Sequence, residues 1–332
     1  MRGKWFFYHE IHMKDPKVPF DIFEPYMSDE NVTDINYNGK DLWIDHLNKG
    51  RFVVAEYLDE DAVMHACVLF SNLVNQHFNI QKPLLEADYD MFRISMLHPS
   101  VSGKLSLSIR KTPMFMRMKE ENLVEEGYIT QECLIFLKKC VMNKLNIMVS
   151  GLPGAGKTEL IKFLTLFIDE KSRVISIEDS RELHYEYLHP KRDSVSLKVN
   201  EVFTYDKAIK ASMRQRPNWL LVSEVRGKEV SDLLKSISTG THLLSTIHAK
   251  CAEDIPKRML YMMEDIDKSS EAFLGQLYDA IDLGIHVELE ITHEGMNRYI
   301  REIVAFKNQK AMMLYHHIDK PNLIKREMEV LF

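Results

Sequence analysis

The chain has 332 residues, 45% of them hydrophobic and 28% charged, an ordinary globular balance at a length that points to two domains. Its 43 Lys and Arg against 49 Asp and Glu leave a formal charge of −6, which argues against a general nucleic-acid binder, because phosphate contacts need a local excess of basic residues. No apolar run reaches the ~18 residues needed to span a bilayer, and the opening MRGKWFFYHEIH lacks the apolar core and cleavage site of a signal peptide. The expected location is therefore cytoplasmic, with no transmembrane segment and any membrane attachment peripheral.

In chain order, Trp5-Phe6-Phe7-Tyr8 is expected to bury against an amino-terminal domain, with docking on a membrane or partner as the alternative. Asp34 to Gly39 and Leu42 to Asp45 read as two strands around a turn. Residues 59–78 place apolar side chains at roughly i, i+3, i+4 and i+7 behind an acidic first turn, which predicts an amphipathic helix. Phe92 to Leu97 and Leu105 to Arg110 read as strands again, separated by a turn from Pro99 to Gly103. Together these predict a small α/β domain over residues 1–112. Residues 113–128, with Pro113, mixed charge and Gly127 but no sustained period, read as a flexible link to a second domain over 129–332. There the pattern runs helix, strand, glycine-rich loop, helix, with apolar strands recurring at 173–177, 219–223 and 243–247. Alternating strands and helices describe a mainly parallel sheet covered on both faces, which binds ligands beyond the carboxyl ends of its strands. Cys67, Cys133, Cys140 and Cys251 form no C-x-x-C pair and no zinc spacing, so they read as reduced packing residues. The tail from Met312 to Phe332, with His316 and His317, is expected to form a terminal helix or a partner contact.

The chemistry concentrates in the second half. Residues 146–158, NIMVSGLPGAGKT, are an apolar strand turning into G-x-x-x-x-G-K-T, the spacing of a nucleoside-triphosphate phosphate loop. Gly151, Gly154 and Gly156, with Pro153 and Ala155 between them, let the backbone wrap around phosphate with its N–H groups pointing inward. Lys157 brings a positive charge to the β- and γ-phosphates, Thr158 offers a hydroxyl to Mg²⁺, and the helix opening at Lys157 through Glu159 adds its dipole. These residues make ATP and Mg²⁺ the expected ligands. After the strand at 173–177 come Glu178, Asp179 and Glu182, carboxylates suited to orienting a water, accepting its proton or holding the Mg²⁺ shell. WLLVSEVRG places Glu224 at the tip of an apolar strand, the shape of a Walker B segment whose acid bonds the metal through water. TGTHLLSTIHA places His248 at another strand tip, where an imidazole can sense the γ-phosphate.

Four ordered blocks, the phosphate loop at 151–158, IEDSREL at 177–183, RQRPNWLLVSEVRG at 214–227 and TGTHLLSTIHA at 239–249, resemble the traffic ATPases of type II and type IV secretion and pilus systems. NVTDINYNGKDLWI and the Arg93 and SIRK stretches resemble that family's amino-terminal half, so the resemblance covers roughly residues 28–306. It implies a RecA-like P-loop NTPase domain behind a PAS-like amino-terminal domain. It further implies a homo-hexameric ring that closes its domains on ATP and docks on inner-membrane secretion or pilus platform proteins, at the inner face of the cell membrane. Carried over by position, Lys157 and Thr158 hold phosphate and Mg²⁺, Glu178 is the water-activating base and Glu224 the Walker B acid. Arg93 and Arg110 match arginines presented to the phosphates, and Arg214, Arg216 and Arg226 match arginines at the subunit boundary. Departures are Thr241-His242 where the family has its first His-box histidine, Ser223 in place of a frequent glycine, Asn218 in place of aspartate, and Glu159 in place of a second threonine. The SIRK and EVRG forms lean toward the conjugative, type IV secretion and tight-adherence branch. The leading expectation is a hydrolytic motor powering type IV secretion or conjugation. A pilus assembly or retraction motor is the alternative, and a nucleic-acid translocase or an inactive ATP-binding scaffold stand behind it.

Overall fold

A computed structural model describes residues 18–56, 58–227, 229–263, 271–292 and 295–317; the aromatic stretch at 5–8 and the tail beyond His317 lie outside them. Two compact units divide between Thr112 and Pro113.

The first unit is one sheet and one long helix. Strands β1 (Val32–Tyr37), β2 (Leu42–His46), β3 (Gly50–Val53), β4 (Leu84–Tyr89), β5 (Phe92–Leu97) and β6 (Ser106–Lys111) lie in the order β3-β2-β1-β6-β5-β4. All neighbours are antiparallel. Period-two alternation sends Leu42, Ile44, Ile94, Met96, Leu107 and Ile109 to the buried face. The helix Glu60–Leu73 starts where Asp59 accepts from the Asp61 N–H, and its Val63, Ala66, Cys67 and Phe70 join the same core. The helix stops five residues short of the predicted end.

The second unit is an eight-stranded sheet of order β14-β13-β12-β7-β11-β10-β8-β9. It comprises β7 (Ile147–Ser150), β8 (Val174–Glu178), β9 (Ser194–Lys198), β10 (Trp219–Val225), β11 (His242–Ile247), β12 (Leu283–Thr292), β13 (Gly295–Lys307) and β14 (Lys310–His316). The run from β12 to β9 is parallel, and β13 and β14 extend it as an antiparallel edge. The tail from Met312, expected as a terminal helix or a partner contact, is strand as far as His316, where it pairs with β13 from Lys310 onward. Alternation splits the central strands between two cores. Ile147, Val149, Trp219 and Leu221 face the helices Gln131–Met142 and Lys157–Thr165, while Met148, Leu220 and Val222 face the helices Tyr205–Met213, Val230–Ser238, Ile255–Met262 and Glu271–Ala280. Residues 113–128 are more than a link: Leu123 of the short helix Glu120–Glu125 and Tyr128 are buried in the first of these cores. All strands bearing chemical blocks end at one edge of the parallel sheet, where β7, β11, β10 and β8 place 151–158, His248, Glu224 and Glu178 side by side.

Candidate nucleotide site

The loop after β7 needs its glycines. Gly154 and Gly156 have φ of +78° and +93°, and a Cβ on Gly151, at φ +150°, would stand 2.5 Å from the Val287 carbonyl oxygen of β12. Pro153 is exposed in the loop and Ala155 is fully buried under it. Gly156 opens the helix Lys157–Thr165, whose first N–H groups face the loop. Lys157 is buried, and its Nζ donates to the carbonyl oxygens of Gly151 and Leu152 at 3.0 Å each. Burial pulls its ammonium down to about 8, against the opposing pull of Glu224 and Glu182. A desolvated cation only partly compensated by nearby carboxylates is suited to receive phosphate oxygens.

His248 links the loop to Glu224. Its Nε2 lies 3.0 Å from Glu224 Oε1, and its Nδ1 lies 3.5 Å from Lys157 Nζ and 3.2 Å from the Gly151 oxygen. Nε2–H donates to the Glu224 carboxylate, while Nδ1 sits between a donor, Lys157 Nζ, and an acceptor, the Gly151 oxygen. Glu224 Oε2 accepts from Arg226 Nε at 2.8 Å, and Arg226 also pairs with Asp179 at 2.7 Å. Arg226 thus joins the tips of β8 and β10 within this chain.

The acids after β8 divide their tasks. Glu178, expected as the water-activating base, is only 3% exposed, and its Oε2 accepts from the backbone N–H groups of Glu182 and Leu183 at 2.8 Å each. Burial pushes its carboxyl up to about 7 despite those donors. Glu182, three residues beyond Asp179, is the acid that reaches the phosphate-loop helix, accepting from Thr158 Oγ1 at 3.1 Å. The E-D-x-x-E spacing carried this signal: Glu178 holds the turn, and that turn swings Glu182 back toward Thr158.

Glu159 turns to the other side of the helix. It pairs with the fully buried Lys162 at 2.9 Å and accepts from the Arg117 N–H at 3.2 Å, while Lys162 also donates to the Pro113 oxygen at 2.9 Å. Arg298 on β13 donates through Nε to the Gly154 oxygen at 3.1 Å, a contact no local pattern announces because the partners are 144 residues apart. Arg93 and Arg110 belong to the first unit, as cross-strand neighbours on β5 and β6, and Arg110 pairs with Asp34 at 2.8 Å. Arg214 and Arg216 are exposed where the chain enters β10, at the opposite edge of the sheet from Glu224. His242 enters β11 at that same far edge, 5.4 Å from Trp219 between ring centroids.

Mixed α/β layers, a parallel sheet and a glycine loop closing on a helix start define a phosphate-loop α/β protein with an amino-terminal sheet domain. Residues 45–282 match the family of type II/IV secretion system proteins, and the chain belongs to that family. It is 25% identical over 334 residues to the type IV secretion system protein VirB11 of Brucella suis, covering 89% of this chain and 91% of that one. It is 37% identical over 205 residues to protein MJ1287 of Methanocaldococcus jannaschii, covering 60% and 74%. Among solved structures, the ATPase DotB of Yersinia pseudotuberculosis superimposes with a TM-score of 0.65 at 14% identity, over 86% of this chain and 77% of that one. The pilus retraction motor PilT with bound ADP does so with 0.64 at 18% identity, over 88% and 84%. These two likenesses show the fold. No helix among the described residues is long and apolar enough to cross a membrane.

Proposed function

We propose that this protein is a Mg²⁺-dependent ATPase that powers a type IV secretion or conjugation apparatus, working as a homo-hexamer on a membrane platform at the inner face of the cell membrane. The observation that carries the reading is the convergence of Lys157, Thr158, Glu182, Glu224 and His248 on one phosphate loop. ATP fits because the loop supplies inward N–H groups and a poised ammonium. Mg²⁺ fits because the nearby donors, the Thr158 hydroxyl and the Glu182 and Glu224 carboxylates, are hard oxygens, and this ion takes few protein ligands beside phosphate and water. Bound there, it would neutralise the phosphate charge that builds during transfer.

The residues then act as follows. Lys157 and the loop N–H groups would hold the phosphates, and Thr158 and Glu224 would hold the metal and its water. Glu182 orients the attacking water and takes its proton, with Glu178 keeping the turn that aims it. His248 passes the occupancy of the phosphate site to Glu224, and movement of the first unit is the mechanical output. The resemblance-based role of Arg93 and Arg110 as phosphate-directed cations belongs to this reading.

The PilT likeness makes a pilus motor of the same family the second reading. The test is steady-state Mg-ATP hydrolysis across protein concentration, beside Lys157→Ala and Glu224→Gln. A rate that rises cooperatively with concentration and vanishes in both variants supports an assembling motor; a wild-type rate no higher than the variants' overturns it.

A further inference from the structure

The backbone ladder that holds the central strands together is interrupted at the chemistry. Regular pairing of β10 with β8 ends at Val222 and Ile177, and pairing of β10 with β11 is irregular between Val222 and Val225 before Val225 pairs with Ile247. Ser223 and Glu224 therefore sit at a break in the pairing, at the point where Glu224 must be aimed, and side chains supplement the ladder there. Thr246 Oγ1 donates to the Ser223 carbonyl oxygen at 2.6 Å. The other tie is Tyr205, the first residue of the helix Tyr205–Met213, a residue outside all four motif blocks.

The Tyr205 hydroxyl is a three-way junction. It lies 2.8 Å from Ser223 Oγ, accepts from the Asp179 N–H at 3.1 Å, and lies 3.3 Å from Asp179 Oδ1. With one proton to give, it satisfies all three when Ser223 donates to it and it donates to the carboxylate, the strongest acceptor present. Burial is the main reason its phenol stays protonated far above neutral pH. Asp179, so held, carries Arg226, and Arg226 carries Glu224 Oε2. Ser223, the other arm, is the residue immediately before Glu224. Both routes from this one hydroxyl converge on the same carboxylate, and one depends on a serine that stands where the related motif has glycine, which has no hydroxyl to offer.

We propose that Tyr205, acting through Ser223 and the Asp179–Arg226 pair, is the positioning residue that sets the Glu224 carboxylate for the metal shell of the nucleotide. The proposal rests on the reading of Glu224 given above. Tyr205 touches no nucleotide; it ties the tips of β8 and β10 together beyond the last pair they share, so that Glu224 is presented without a search over rotamers.

The experiment compares full-length wild type with Tyr205→Phe, Ser223→Ala, Ser223→Thr and Tyr205→Phe/Ser223→Ala. Readouts are kcat and KM for ATP, the Mg²⁺ concentration giving half-maximal rate, Tm, and binding of a fluorescent ADP analogue with and without Mg²⁺. Tyr205→Phe should lower kcat by about tenfold, the effect of losing one hydrogen bond to a charged group, and raise the half-saturating Mg²⁺ several-fold. KM for ATP and Mg²⁺-free nucleotide affinity should stay within about twofold of wild type. Ser223→Thr, which keeps the hydroxyl, should behave as wild type, and the double variant should be no worse than Tyr205→Phe, because the two share one network. Unchanged kcat and Mg²⁺ dependence in Tyr205→Phe overturn the proposal, as does a loss that merely tracks Tm and reaches Mg²⁺-free binding equally. If wild type hydrolyses no faster than Lys157→Ala, the motor reading falls, and the Mg²⁺ dependence of analogue binding still decides the role of Tyr205 by itself.

Discussion

Replacing Glu159 by alanine removes the carboxylate that pairs with the Lys162 ammonium, which is 1% exposed. In the native protein Lys162 Nζ donates to Glu159 Oε1 and to the Pro113 oxygen, both at 2.9 Å, and Glu159 Oε2 accepts from the Arg117 N–H. The variant leaves the buried charge with one carbonyl and costs the Arg117 N–H its acceptor. Breaking a buried pair by removing one partner costs about 3–5 kcal/mol. At about 2–4 °C per kcal/mol for a domain of this size, Tm should fall by roughly 10 °C. Removing both charges in Glu159→Ala/Lys162→Met should recover most of that loss, since the penalty is that of an unpaired buried ion. Circular-dichroism melts at neutral pH read both, and 0.5 M salt should change neither, because the pair is shielded from solvent. A Glu159→Ala protein melting within 2 °C of wild type, or a double variant as weak as the single, would refute the reasoning. The pair also fixes Pro113 and Arg117 to the phosphate-loop helix, so the segment expected as a flexible link is tied to the element that opens at Lys157.

Three further outcomes follow from the site. Gly151→Ala sets a Cβ 2.5 Å from the Val287 oxygen at a backbone angle that side chains avoid, so the loop must shift; stability should drop by about 1–3 kcal/mol and fluorescent-nucleotide affinity by at least about tenfold, and wild-type affinity would contradict this. Glu178 is raised to about 7 from an ordinary 4.5, so folding favours its neutral form: the contribution is full below about 4.5 and is lost as pH rises through about 7. That loss amounts to about 3 kcal/mol, so the stability of wild type relative to Glu178→Gln should decline between pH 4.5 and 7 in urea titrations, and a flat difference would count against the buried carboxyl. Glu182→Gln should cut kcat by about a hundredfold or more as the loss of a general base, and by more than Glu178→Gln does; the reverse order would return the base role to Glu178.

Much of the site was legible because its signals are local. The phosphate loop follows from glycine spacing, and Glu224 and His248 are each the first ionisable group at the end of a short, mainly apolar strand, so chain order alone puts them at strand tips. Glu178 and Glu182 are where chain order is not enough. Glu178, the first acid after β8 and the expected base, is buried and accepts from two backbone N–H groups, and which of Glu178 and Glu182 faces the helix depends on a turn that the sequence does not display. The strands β12, β13 and β14 escaped a pattern search for the same reason. Their apolar residues are interrupted by Glu288, Glu302 and Arg301; Arg301 pairs with Glu288 across the strands once the hairpin forms and with its own neighbour Glu302.

By itself, the sequence determined the alternation that buries both faces of the parallel sheet and the backbone freedom of the loop at 151–156, because these depend on residues a few positions apart. Tertiary structure alone decided the partners: Glu182 with Thr158, Arg298 with Gly154, and Tyr205 with Ser223 and Asp179. Each joins segments 18 to 144 residues apart, and a hydrogen bond at that separation exists only after hydrophobic burial has stacked the strands and set their tips level.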